Sequence, residues 1–321
     1  MSTNNHQEIL LSVRNVTKTY DEFKAVDNLS LDVRRGRIFG LIGPNGAGKT
    51  STIRMIVNIT APDDGVIELF GKRIDSALQD RIGYLPEERG LYKSMKVAEQ
   101  LRYFGELKGM SSATIDKQID RWLQRMKLTD WKQKKSDELS KGMQQKIQFI
   151  ITVIHDPDLI ILDEPFSGLD PVNVDLISSI IRELKGHGKA IIFSTHLMEQ
   201  AEKLCDDICL INRSRKVLEG TLPEIKQRFH TNRIALRTNS ADGLINDPTL
   251  VASIEQHAGY VELVLAPGCE AQDFLRRLIA NSVSVERFEL VEPSLHDIFV
   301  AMVSEDGTHR LEERLEEVSA S

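Results

Sequence analysis

The stretch Gly43-Pro44-Asn45-Gly46-Ala47-Gly48-Lys49-Thr50 constrains this chain more than any other. It fits G-x-x-x-x-G-K-[ST], a loop whose backbone N–H groups cradle phosphates. Ile38–Ile42 before it reads as a short buried strand, and Ser51 onward reads as a helix. Loop and helix N-terminus together aim positive partial charge at one point, which suits a polyphosphate. Gly46 and Gly48 allow a backbone path that a side chain would block. Lys49 can reach the terminal phosphates, and the Thr50 hydroxyl can ligate Mg²⁺.

A loop of this kind belongs at the carboxyl end of a strand in a mostly parallel sheet, and the chain supplies one. Leu159–Leu162 and Ala190–Ser194 are continuous apolar runs, as expected of strands buried on both faces. Asp163-Glu164 and His196 follow these runs, where ligands collect in such sheets. Residues 9–20 alternate, suggesting an edge or antiparallel strand, and 29–33 and 66–70 suggest further antiparallel pieces. From about 86 to 153 the pattern turns helical, with Val97, Leu101, Phe104 and Leu107 at three- and four-residue steps. The expected organisation is an α/β domain at 8–220 with that helical insertion, then a small α+β domain at 221–304. Residues 305–321, rich in Glu and Arg, are expected to be a disordered tail.

Composition narrows the class. Of 321 residues, 41% are hydrophobic and 28% charged, ordinary for a globular protein. The net charge of −7 gives no global field favouring nucleic acid or anionic lipid. No apolar run approaches the roughly 18 residues of a membrane span, and the first residues lack the features of a secretory signal. Three cysteines, Cys205, Cys209 and Cys269, suggest reduced thiols in the cytoplasm. Cys205 and Cys209 could share a helix face as a metal pair, but Ile208–Ile211 reads as a buried strand, which favours core packing.

The remaining motifs carry a resemblance. Asp163 ends its strand where the acidic residue that holds Mg²⁺ belongs, and Glu164 can orient and deprotonate water. Leu139-Ser140-Lys141-Gly142-Met143-Gln144-Gln145 resembles the signature motif of ABC transporter ATP-binding subunits. Leu169-Asp170 looks like that family's D-loop, His196 like its switch histidine, and Tyr20 like the aromatic that stacks on adenine. These motifs occur in the family's order over residues 9–220. The C-terminal extension ending in Glu292-Pro293-Ser294-Leu295 is similar to that of ABC-2-type subunits, a group with sodium-efflux and drug-export members.

The resemblance implies a P-loop NTPase fold and an ATPase that powers transport, with export favoured by analogy. It implies ATP and Mg²⁺ as ligands, residues 43–51 (Gly43 to Thr50, then Ser51) around the phosphates, Thr50 and Asp163 on the metal, and Glu164 as general base. It further implies a head-to-tail dimer, of two copies or close homologues, in which Ser140 and Gly142 of one subunit meet ATP held by the other. The motor then works through a separately encoded membrane permease, at the cytoplasmic face of the membrane. Where the family usually carries Gln in the loop after residues 82–85, this chain has Pro86-Glu87-Glu88. Glu87 can accept from water and face a metal but cannot donate as an amide does; a solvated acidic loop is the alternative. The competing function is a soluble ABC ATPase acting on nucleic acid or ribosomes. The single cassette, the absence of a zinc-finger cysteine set and the lack of basic excess speak against it.

Overall fold

The computed structural model describes residues 8–88, 90–229, 232–238 and 242–303. The expected tail at 305–321 lies outside them. The chain divides into two compact units between Leu222 and Pro223.

The first unit opens with β1 (Ile9–Tyr20), β2 (Phe23–Arg34), β3 (Ile38–Ile42), α1 (Lys49–Ile56), β4 (Asp64–Leu69), β5 (Lys72–Arg73), α2 (Ser76–Gln79) and β6 (Ile82–Leu85). Three helices follow, α3 (Val97–Leu107), α4 (Ser112–Arg125) and α5 (Lys141–Val153). The unit closes with β7 (Leu159–Asp163), α6 (Pro171–Gly186), β8 (Ala190–Thr195), α7 (Met198–Leu204), β9 (Asp207–Asn212) and β10 (Arg215–Thr221).

Two sheets share one core. The antiparallel sheet runs β2-β1-β4-β5, and the larger runs β10-β9-β3-β8-β7-β6. In the larger sheet β9, β3, β8, β7 and β6 pair in parallel, and β10 joins antiparallel. Every residue of β3, β7 and β8 is buried, which is why these segments read as unbroken apolar runs. Ile53, Met55 and Ile56 of α1 pack among residues of both sheets, so the helix after the phosphate loop is fixed by burial. β1 pairs with β2 on one side and β4 on the other, so the antiparallel reading of residues 9–20 holds and the edge reading does not.

In the helical insertion, α4 buries Ile115, Ile119, Trp122 and Leu123, while Ser111 caps its N-terminus by accepting from the Thr114 N–H. Leu107, the last of the expected apolar stripe on α3, is 59% exposed instead. Cys205 and Cys209 are buried, and burial pushes both thiols far above their ordinary range. They are core residues, as the strand pattern suggested.

The second unit comprises α8 (Leu222–Arg228), β11 (Arg233–Thr238), α9 (Asp242–Ile245), β12 (Val251–His257), β13 (Tyr260–Leu265), α10 (Ala271–Ala280), β14 (Val285–Leu290) and α11 (Leu295–Val303). Its sheet order, β12-β13-β11-β14, is antiparallel throughout, and the β-α-β-β-α-β succession makes it a split β-α-β arrangement. One face packs Ile234, Leu236, Leu263 and Leu265 against Phe274 and Leu278 of α10. β12 escaped sequence reading because only its first residue is buried, leaving no alternation to detect. Among the described residues, no helix is long and apolar enough to cross a membrane.

Candidate functional site

The loop between β3 and α1 is shaped by its neighbours before any ligand is considered. A Cβ at Gly48 would lie 2.3 Å from the Ala25 carbonyl oxygen, and its φ of 109° is closed to most residues. Nothing lies within 4 Å of the corresponding position at Gly46, where φ of 76° alone calls for glycine. Behind the loop, the Ser214 N–H donates to the Ala47 carbonyl at 3.2 Å, and Ala47 N–H donates to Pro44. Pro44 and Ala47 therefore build the loop from behind.

Lys49 is 7% exposed, and its ammonium donates to the carbonyls of Gly43 at 2.8 Å and Pro44 at 3.1 Å. Burial lowers its pKa, while Glu164, Asp163 and Glu87 pull it back up. Three carboxylates therefore surround one buried cation. The Thr50 hydroxyl donates to Asp163 at 3.3 Å. Burial pushes the Asp163 carboxyl up; Glu87 and Glu164 add to that push, and the hydroxyls of Ser194 and Thr50 oppose it. A hydroxyl and a carboxylate side by side form an all-oxygen set suited to a hard cation such as Mg²⁺, whose charge would relieve this crowding.

Glu164 follows β7 at a φ of 48°, held by its N–H donating to the Ser194 carbonyl at 3.0 Å. Both its carboxylate oxygens are engaged. The Thr195 hydroxyl donates to one at 3.1 Å; the backbone N–H of His196, at 2.9 Å, and the His196 Nδ1, at 2.7 Å, meet the other. The carboxylate is largely covered, with 11% side-chain exposure against 44% for the imidazole. Strands β7 and β8 thus end by presenting an acid and a histidine as one hydrogen-bonded pair.

Tyr20, Asn45, Gly46, Gly48, Lys49, Thr50, Ser51, Glu87, Asp163 and Glu164 line one open cleft of about 290 Å³. His196, Gly43, Pro44 and Ala47 are not among its lining residues; His196 reaches it through Glu164. Phe23 also lines it and is 61% exposed. Sequence reasoning passed over it; the signal was an apolar ring in the polar turn 20–23, where Phe23 pairs directly with Tyr20. Thr195 was missed too, because a threonine ending a buried strand looks like any strand residue.

Ser140 and Gly142 do not line this cleft. Ser140 caps α5, accepting from the Met143 N–H at 3.3 Å. A Cβ at Gly142 would meet nothing closer than Leu169 Cδ2, at an ordinary 3.5 Å. Nothing among the described residues requires glycine there. Asp170 caps α6, accepting from the Asn173 N–H at 3.0 Å. Helix α5 is wired to both loops beside the cleft: Gln145 donates to the Pro165 carbonyl at 3.1 Å, and Gln148 to the Glu88 carbonyl at 3.4 Å.

Known proteins share this arrangement. Residues 26–167 match the family model described as ABC transporter, and residues 220–303 match the C-terminal domain of ATP-binding protein DrrA1-3-like. An uncharacterized ABC transporter ATP-binding protein of Bacillus subtilis, YhaQ, is 43% identical over 92% of this chain and 98% of its own. Nod factor export ATP-binding protein I of Ralstonia nicotianae is 40% identical over 67% of this chain and 68% of its own. A solved ATP binding subunit of an ABC transporter superposes with a TM-score of 0.65 at 32% identity, covering 68% of this chain and 93% of that one.

Proposed function

The chain belongs to the family of ABC transporter ATP-binding subunits, ATP-hydrolysing partners of a separate membrane permease, and from that premise we propose how its residues divide the work. Glu164 is the general base. The observation that carries this is the grip of Thr195 and His196 on both its oxygens, in the cleft that Lys49 also lines. A carboxylate held this way accepts a proton from water in one fixed orientation. His196 keeps the acid in register and offers its exposed imidazole edge to the terminal phosphate. The Lys49 ammonium exchanges the carbonyls of Gly43 and Pro44 for phosphate oxygens. Tyr20 stacks on the base, and residues 43–51 wrap the phosphates, with backbone N–H groups from positions other than Pro44, which has none.

Thr50 and Asp163 hold Mg²⁺, directly or through water, and Glu87 faces the same place. When bound, the ion supplies neutralisation of the phosphate charge. Ser140 and Gly142 serve the cleft of a second subunit, either a second copy or a close homologue. Support comes from Gly142, where a Cβ would meet only ordinary contacts, because a glycine that its described neighbours do not require answers to something else. Asp170 lies in the same loop as Leu169, beside that glycine, and joins that junction. The permease holds this dimer at the cytoplasmic face of the membrane. Export is the direction we favour, since relatives such as that of Ralstonia nicotianae are named for it.

Glu164→Gln keeps the hydrogen-bonding shape but removes the base. Turnover should fall by about 10²–10⁴-fold, with ATP binding retained in a fluorescent-nucleotide titration. Near-normal hydrolysis by that variant would exclude Glu164 as the base.

A further inference from the structure

Among the described residues, one set of three metal-ligating side chains gathers in the second unit: Glu255, His257 and Glu262. They sit on the β12–β13 hairpin. Glu255 is directly opposite Glu262, and His257 is directly opposite Tyr260. Residues two apart on a strand share a face, so the triad projects from one side of the hairpin. Two carboxylates in direct cross-strand register repel each other unless something positive lies between them.

The distances fit a cation there. His257 Nε2 lies 3.7 Å from Glu255 Oε1 and 3.6 Å from Glu262 Oε1. Both are too long for hydrogen bonds. That nitrogen is buried and has no hydrogen-bond partner. For a tetrahedral ion with bonds of about 2.0–2.1 Å, neighbouring ligand atoms stand roughly 3.3–3.4 Å apart. The three ligand atoms lie within 4.8 Å of one another, so small rotations would close the set. Two guanidinium groups stand beside the triad, Arg233 on Glu262 and Arg287 over the Tyr260 ring at 5.0 Å. Arg233 takes the other oxygen of Glu262, at 3.4 Å, and the Tyr260 ring stacks on the imidazole at 4.8 Å, fixing its plane.

We propose that Glu255, His257 and Glu262 form a binding site for a divalent transition cation of the zinc class, pinning the edge hairpin of the second unit. One imidazole and two carboxylates suit zinc better than magnesium, which takes oxygen ligands and keeps its waters. Three protein ligands leave a fourth position open to water.

The test is a calorimetric titration of the full-length, nucleotide-free chain with Zn²⁺, repeated with Co²⁺ while recording its visible absorption. The expected result is one Zn²⁺ per chain at this site and a tetrahedral Co²⁺ spectrum. Affinity should weaken by at least about tenfold in both Glu255→Gln and His257→Gln. Asp273→Asn, which changes a carboxylate on α10 outside the triad, should leave binding unchanged. Circular dichroism and thermal melting of all three variants should match the unaltered chain, showing that each is folded, and basal ATP hydrolysis with Mg²⁺ should be the same. Absence of Zn²⁺ binding by the unaltered chain, or equal binding by Glu255→Gln and His257→Gln, would overturn the proposal.

Discussion

Glu164 stands in a left-handed conformation that costs an ordinary residue about 1–2 kcal/mol. The carbonyl of Ser194 and the donors of Thr195 and His196 hold it there, so the strain is spent at the site of chemistry. Removing one donor tests this directly. Thr195→Val deletes a hydrogen bond to the carboxylate and should lower kcat about tenfold with little change in KM. His196→Ala should cost more, on the order of 10²-fold in kcat. Arg213 and Ser214 show the same strain without an evident catalytic reward, at φ of 45° and 69° behind the phosphate loop. Ser214→Gly relieves one of them and should raise stability by about 0.5–1 kcal/mol in a urea titration. Single residues with a fixed partner in a motif were legible in the sequence: Lys49, Thr50, Asp163, Glu164 and His196. The grip of Thr195 on Glu164 was not, because it depends on the pairing of β7 with β8, and no local pattern records that register.

Elements were legible in proportion to how one-sided their burial is. β3, β7 and β8 are wholly buried and gave unbroken apolar runs, whereas β12 buries one residue and gave nothing. Helix α5 shows why position in the fold outweighs pattern. Its start offers Ser140 and Gly142 to the exterior, while Gln145 and Gln148 tie its middle to the loops after β7 and β6. Gln145→Ala should therefore alter turnover although it touches no ligand-facing residue, with a fall in kcat and an unchanged ATP affinity. Just beyond α5, His155 meets the Ile82 carbonyl at 3.3 Å, and burial pushes its pKa down to about 4, with Lys108 acting in the same sense. The unfolded chain takes up a proton on this residue below about pH 6.5, while the folded chain resists until about pH 4. The stabilisation is thus complete above pH 6.5 and is lost as the pH falls through that window, by at most about 3 kcal/mol. His155→Gln keeps a donor for the carbonyl and should flatten the acid limb of stability measured by urea titration between pH 7 and 4.5.

At the scale of the molecule, two units with separate cores share one chain, and the chemical motifs fall in the first. A chain ending at Leu222 should accordingly still bind ATP in a nucleotide titration; its loss would show that the second unit supports the cleft. The central claim concerns what one copy lacks. Its cleft gathers the phosphate loop, Asp163 and Glu164 but neither Ser140 nor Gly142, and a Cβ at the latter would meet only ordinary contacts. On the proposed reading it is half a site, to be completed by a second subunit. Light scattering on Glu164→Gln, with and without ATP and Mg²⁺, tests this most directly. The account predicts a shift from monomer to dimer on adding ATP, abolished when Gly142→Trp is introduced as well. A monomer that binds ATP tightly, and hydrolysis by the unaltered chain whose specific rate is independent of protein concentration, would contradict it.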